Sequence, residues 1–158
     1  MRFSETYKSI PVLEPADYQA GIDGDSIDMS RLHSVVIPLN FGALTGDAVL
    51  KIYSGASAGT KTTALAFQYR VSDADFKASG ADGLGALVDV AATGLTLTAA
   101  TFDHKHLIIE LRATEMTEGE EWLTVELSAA ADVLTLACTA WGHPRYAAHD
   151  GPTVVDSA

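Results

Sequence analysis

The stretch from Asp47 to Val71 carries two apolar alternations separated by a polar segment, residues 55–60, that contains two glycines. In the first alternation Leu50 and Ile52 share one parity, and in the second the residues at odd positions from 63 to 71 share another. Side chains alternate between the faces of a strand, so each half is predicted to bury one row. The glycines favour a chain reversal. The stretch therefore predicts a long β-hairpin with one apolar face, which needs a second sheet over it.

The rest of the chain repeats short strand patterns with turn residues between them. His33 begins a strand whose alternate residues are apolar. These inward residues are Val35, Ile37, Leu39 and Phe41. Further strands are predicted over residues 86–91, 95–98, 105–113, 122–128 and 133–141. Pro38 lacks the N–H that a sheet requires, so it predicts an edge strand or a bulge. About eight short strands at this spacing predict an all-β fold, a single-domain β-sandwich or jelly roll.

The two ends of the chain differ from this body, which we place at residues 31–146. Residues 1–30 combine prolines, glycines and scattered aromatics without a clean period. They predict an extended N-terminal arm that packs either on its own sandwich or on a neighbouring subunit. Residues 147–158 are short and mixed in composition and are expected to form a loosely held C-terminal tail. A length of 158 residues, 47% of them hydrophobic, suits one domain with a substantial core.

Charge and cysteine content exclude several classes of function. The net charge of −11 argues against partners made of nucleic acid and against anionic membrane surfaces. No apolar run reaches the ~20 residues of a membrane span, and no signal peptide is evident, so we expect a product used without export. The single cysteine, Cys138, rules out an internal disulfide and a cysteine-based zinc cluster. Its parity with Leu134 and Leu136 predicts a small buried hydrophobe, with a nucleophile as the alternative.

One short segment has the spacing of a metal site. His104, His106 and Glu110 resemble the first metal-binding motif of the cupins, jelly-roll proteins in which two histidines and a glutamate hold a metal inside the barrel. On a continuous strand over residues 105–113, however, all three side chains point away from the core. The glycines that flank the cupin motif are also absent. We therefore expect an exposed polar strand face, no metal and no cofactor, and keep a cupin-like metalloenzyme as an alternative.

Two tryptophans lie outside the predicted inward rows. Trp122 and Trp141 each begin or end a strand with the parity opposite to that of its core residues. Large aromatic side chains outside a core are typical of contact surfaces. The alternative is that each covers a strand end or lies under the N-terminal segment. If the surface is a contact, its partner is another protein or a sugar, and a carbohydrate-binding module would use Trp122, Trp141 and Tyr53 as stacking platforms.

The layout as a whole points to one class of proteins. The features are a short start of the type Met-Arg-Phe-Ser-Glu-Thr at residues 1–6, an aromatic arm that contains prolines, and an Ala/Gly/Thr-rich β body that contains the segment 64–71. A final strand then runs into residues 142–147. This layout resembles the decoration, or cement, proteins of tailed-bacteriophage capsids. The resemblance implies a β-rich homotrimer or homodimer that bridges major capsid subunits on the outer capsid surface and has no catalytic residues.

Under this interpretation the protein is a non-enzymatic virion structural protein, made in the host cytoplasm. Its partners are the major capsid protein and further copies of itself, with no nucleic acid and no membrane. The residues assigned to protein interfaces are Phe3, Tyr7, Tyr18, Pro38, Trp122, Trp141 and Tyr146. Strand addition is expected at the edge near Pro38 and along residues 1–20. A head–tail connector or a tail-tube element stays open as another virion role.

Overall fold

The computed structural model describes residues 2–146 and 152–158, and this part of the chain is almost entirely β-structure. It contains thirteen strands in two antiparallel sheets. The six-stranded sheet consists of β1 Lys8–Asp17, β4 Leu32–Leu44, β7 Phe67–Val71, β8 Val88–Val90, β10 His106–Arg112 and β12 Leu134–Pro144. The seven-stranded sheet consists of β2 Ile22–Asp23, β3 Ser26–Asp28, β5 Ala48–Gly55, β6 Thr63–Leu65, β9 Leu95–Leu97, β11 Trp122–Leu127 and β13 Val155–Asp156. The helices are short: α1 Phe3–Thr6, α2 Ala99–Phe102, and 3₁₀ turns at Met29–Arg31 and Ala113–Glu115.

The two sheets enclose a single apolar core, which confirms the predicted all-β sandwich. The six-stranded sheet has the order β1-β12-β4-β10-β7-β8. The other sheet follows the order β13-β3-β11-β5-β6, with β2 also beside β11 and β9 beside β5. More strands form than the eight or so expected, because the short pairings near both ends of the chain have no apolar period of their own.

The hairpin predicted over residues 47–71 forms only in part. β5 pairs with β6, with Ile52 opposite Leu65, but the chain then crosses to the other sheet, where β7 begins at Phe67. The prediction of one continuous strand over residues 63–71 was therefore wrong. The predicted alternation of buried and exposed side chains still holds on both sides of the crossing, because Leu65, Phe67 and Tyr69 all face the core from their respective sheets.

Pro38 lies in the middle of a sheet, and its assignment to an edge strand was wrong. Its strand, β4, is flanked by β12 and β10, and the inward row predicted for this strand is buried. Phe41 donates its N–H to the carbonyl of Lys105 on the β10 side. Residues of the opposite parity, Pro38 among them, therefore turn their backbone toward β12. The sheet loses one hydrogen bond there, and the register stays the same from Cys138 opposite Leu39 to Trp141 opposite Val36, so no bulge forms.

The N-terminal segment is part of the sandwich. β1 pairs along β12, with Ile10 opposite Ala140, and buries Ile10, Val12 and Leu13. Residues 1–30 were expected to pack either on the chain's own sandwich or on a neighbouring subunit, and the structure shows the first. Instead of an extended arm, residues 8–17 form the strand β1. Two register shifts in β1, on either side of Leu13, break the alternation that would have revealed it.

The last described residues are also held in place. β13 pairs with β3, and Val154 is only 4% exposed. The expectation of a loosely held tail over residues 147–158 was wrong for residues 152–158, and residues 147–151 lie outside the described part. No helix in the described ranges has the length and apolar character needed to cross a membrane.

Candidate protein-contact surface

The outer face of the six-stranded sheet carries a row of aromatic side chains. Phe3 of α1 lies edge-on to Trp141 of β12, with ring centroids 4.9 Å apart, and stacks on Tyr7 at 4.6 Å. Tyr7 lies 5.5 Å from His143, and His143 lies 5.3 Å from His33. These five residues are called the aromatic row below. They join α1, β12 and the start of β4 into one surface.

The register of β12 explains why these rings meet. Trp141 and His143 have the parity opposite to that of buried Cys138 and Ala140, so both point outward. A register shift after His143 brings His33 to the same side. Phe3 partly covers Trp141 and is itself 56% exposed. For Trp141 the structure therefore shows the alternative in which the N-terminal segment lies over it.

A hollow of about 560 Å³, lined by both polar and apolar side chains, adjoins the aromatic row on the same side of the sheet. Val36 and Ile108 lie in it, together with Leu84 and Leu87 from the loop before β8. Val36 is directly opposite Trp141 in the β4–β12 register, so the row and the hollow are continuous. We call this combined surface the outer face. Sequence reasoning missed the hollow because Leu84 lies in a segment that reads as a loop by composition, and the predicted strand 86–91 that contains Leu87 gave no indication of its neighbours.

The charges in the hollow are balanced, although the chain as a whole is strongly acidic. The charged lining residues are Arg70, Glu110, Arg112 and Glu115. Arg70 donates to the carbonyl oxygen of Gly85 at 2.8 Å, and Glu115 accepts the N–H of Arg112 at 2.6 Å. A surface that mixes apolar side chains with charges of both signs can bind another protein without strong repulsion and with a defined orientation.

The residues of the cupin-like spacing do not converge. His106 and Glu110 point outward from β10 while Leu107 and Ile109 are buried, as the strand parity predicted. His106 stacks on Phe76 at 5.7 Å, and His104 lies before the strand with its Nε2 3.8 Å from the carboxylate of Asp103. Within residues 2–146 and 152–158, no three His, Cys, Asp or Glu side chains are placed to hold a metal ion.

The three aromatics proposed as a sugar platform lie on different sides of the molecule. Trp122 and Tyr53 occupy the outer side of the seven-stranded sheet, whereas Trp141 lies on the outer face. Lys61 lies over the Tyr53 ring, with its Nζ 5.7 Å from the centroid, and forms ion pairs with Asp23 and Glu126. Trp122, Trp141 and Tyr53 therefore cannot stack on one sugar chain.

The other residues assigned to interfaces fall into three places. Pro38 points outward opposite Ile108 and belongs to the outer face. Tyr18 packs against the core, and its hydroxyl donates to the carbonyl of Glu14 at 2.7 Å; desolvation and the Glu14 charge raise the pKa of this hydroxyl. Tyr146 is 82% exposed just after β12.

Cys138 has none of the surroundings of a reactive thiol. It is 1% exposed and points into the core from β12, as predicted for a small buried hydrophobe. Burial raises the pKa of the thiol to about 12, because a thiolate would be desolvated there. At neutral pH the side chain is therefore protonated and unsuited to nucleophilic attack.

Comparisons with protein-family models, with curated proteins and with solved structures found no match in any of the three. The functional proposal therefore rests on the outer face and on the resemblance of the chain's layout to capsid cement proteins.

Proposed function

We propose that this protein is a non-enzymatic structural protein that decorates and stabilises a tailed-phage capsid by bridging major capsid subunits. The observation that supports this most is the outer face, where exposed and half-buried aromatic side chains adjoin a hollow lined by apolar and charged residues on a continuous sheet. Aromatic side chains clustered outside the core on one side of a fold are typical of protein contacts. In this proposal the outer face is the surface that binds the major capsid protein.

The composition of the outer face suits this role. Binding energy at protein interfaces is concentrated in tryptophan, tyrosine and arginine, and the outer face contains Trp141, Tyr7 and Arg112. The acidic surface elsewhere keeps the protein away from packaged DNA. As a homotrimer or homodimer, each unit would bind several capsid subunits at once, and linked weak contacts add to a strong attachment.

Cosedimentation with assembled shells tests this proposal. The shells are made from the major capsid protein encoded in the same genome, and the wild-type chain is expected to pellet with them. Trp141→Ala removes the ring beneath Phe3 and should weaken attachment by roughly ten-fold or more, the effect of losing an interface hot spot. Trp122→Ala is the matched control, because this tryptophan is also half-buried but lies on the other sheet. It should leave attachment unchanged.

Two results would count against the proposal. The first is a wild-type chain that stays in solution with intact shells, and the second is equal attachment by both tryptophan variants. Binding of the wild type to a polysaccharide that is lost in Trp141→Ala would instead favour a carbohydrate-binding module.

A further inference from the structure

We infer that β8 is a docking edge for an extended segment of a different polypeptide, one that places a lysine or arginine beside Asp89 and apolar side chains on either side of it. The inference rests on the proposed function in taking the partner to be a protein. The inference goes beyond the proposed function by naming the strand with which the partner pairs and the side chains that the partner carries at that place.

β8 is the last strand of the six-stranded sheet, and among residues 2–146 and 152–158 its only neighbour there is β7. On the far side of β7, the N–H of Ser72 donates to the carbonyl of His106. Residues of that parity, including Gln68, therefore direct their backbone groups toward β10. The residues between them direct theirs toward β8.

This alternation of backbone direction along β7 determines which backbone groups of β8 face away from the sheet. Phe67 and Tyr69 lie opposite Val90 and Val88, and these are the hydrogen-bonded pairs. The N–H and carbonyl of Asp89 therefore point away from the sheet, where no strand lies among the described residues. Backbone groups of this kind are the template for strand addition.

The opposite edge of the sheet is protected against such pairing. β1 contains Pro11 and Pro15, and its register shifts twice. Prolines and bulges block an edge to further strands. β8 has neither, and its first residue, Val88, and the preceding Leu87 are 41% and 49% exposed. Strand addition cannot occur near Pro38, because β4 lies inside the sheet, whereas β8 is at its edge.

The side chains at this edge define the partner's chemistry. Val88 and Val90 have the inward parity, whereas Leu87 and Asp89 point to the outer face. The Asp89 carboxylate accepts a hydrogen bond from Nε2 of Gln68 at 2.6 Å. A lysine or arginine opposite Asp89 on the partner strand would be attracted to the Asp89 carboxylate. Apolar side chains on either side of that residue would cover Val88 and Val90.

A second copy of this chain does not fit the edge. A two-fold pairing of β8 strands centred on Asp89 would place two carboxylates directly opposite each other, which is unfavourable. The net charge of −11 on each copy adds repulsion at longer range. The occupant is therefore a different polypeptide with a basic residue at this position.

Two short synthetic peptides test the inference, Ser-Thr-Val-Lys-Val-Thr-Ser and the same sequence with glutamate in the centre. Each is titrated into the isotopically labelled full chain and followed by NMR. The lysine peptide is expected to shift the amide resonance of Asp89 and to slow its hydrogen exchange. The glutamate peptide should bind about five-fold more weakly, because a favourable cross-strand pair is replaced by a repulsive one.

Variants at one position separate backbone pairing from charge. Asp89→Pro removes the outward N–H, and proline is tolerated at an edge when its nitrogen faces solvent, so this variant should fold and lose peptide binding. Asp89→Lys keeps the N–H and should prefer the glutamate peptide. Asp89→Asn is the control that keeps the edge and should bind both peptides equally.

The inference is overturned by equal binding of both peptides to the wild type, or by unchanged preference in Asp89→Lys. It is also overturned if the Asp89 amide does not respond at about 10 mM lysine peptide, beyond the range of weak specific binding. Self-association of the free chain that is lost in Asp89→Pro, measured by sedimentation, would do the same, because it would place a second copy at this edge. The titration uses no shells, so a failed shell experiment with a positive titration rejects the capsid role and keeps the docking edge.

Discussion

Removal of residues 2–20 is expected to lower the free energy of unfolding by roughly 5 kcal/mol or more, which would leave the sandwich barely folded or unfolded. The deletion takes away β1 and with it Ile10, Val12 and Leu13, which are 1%, 4% and 7% exposed. Burying a side chain of this size contributes about 1.5–3 kcal/mol. The deletion also exposes the edge of β12, where unpaired backbone groups favour aggregation.

A shorter deletion provides the control. Removing residues 2–6 takes away α1, which contributes no buried residue, so the free energy of unfolding should change by less than about 1 kcal/mol. Urea unfolding followed by tryptophan fluorescence measures both deletions. Full stability of the longer deletion would mean that the segment is a dispensable arm, as its composition first suggested.

Phe102→Ala is expected to destabilise the protein by about 3–5 kcal/mol, the usual cost of emptying a large core site. Phe102 ends the short helix α2 and is 2% exposed. Its ring packs between those of Phe41 and Tyr69, with centroids 5.9 Å and 6.0 Å away. Removing it would leave a cavity that neighbouring strands are too constrained to fill.

Phe76→Ala is the matched control for this substitution. Phe76 is 49% exposed and contacts His106 on the surface, so its removal should cost less than about 0.5 kcal/mol. Thermal and urea unfolding of the two variants should differ clearly. Equal stabilities would contradict the placement of Phe102 in the core.

Alternation predicted the core wherever a strand keeps its register. The inward row of β4 is buried as expected, because each residue there pairs in sequence with β10. Alternation did not reveal β1, whose register shifts on both sides of Leu13, or Phe102, which lies in a four-residue helix with no period. The prediction of an edge strand or a bulge at Pro38 was wrong, because a pattern within one strand gives its faces and not its neighbours.

The contact surface shows the same limit. Trp122 and Trp141 have equivalent patterns in sequence, and both were expected to lie outside the core. Only the strand order places them on different sheets, and strand order depends on pairings between distant residues. The meeting of His33 with His143 and the free edge at Asp89 depend on the same long-range register, so no local signal could have identified them.

Hydrogen exchange of the chain bound to capsid shells, compared with the free chain, tests the central claim most directly. The account predicts slower exchange at the Asp89 amide and in α1 on binding, while the loop at residues 56–62, beside the seven-stranded sheet, keeps its free rate. Protection confined to that loop, with no change at Asp89 or α1, would contradict the assignment of binding to the six-stranded sheet.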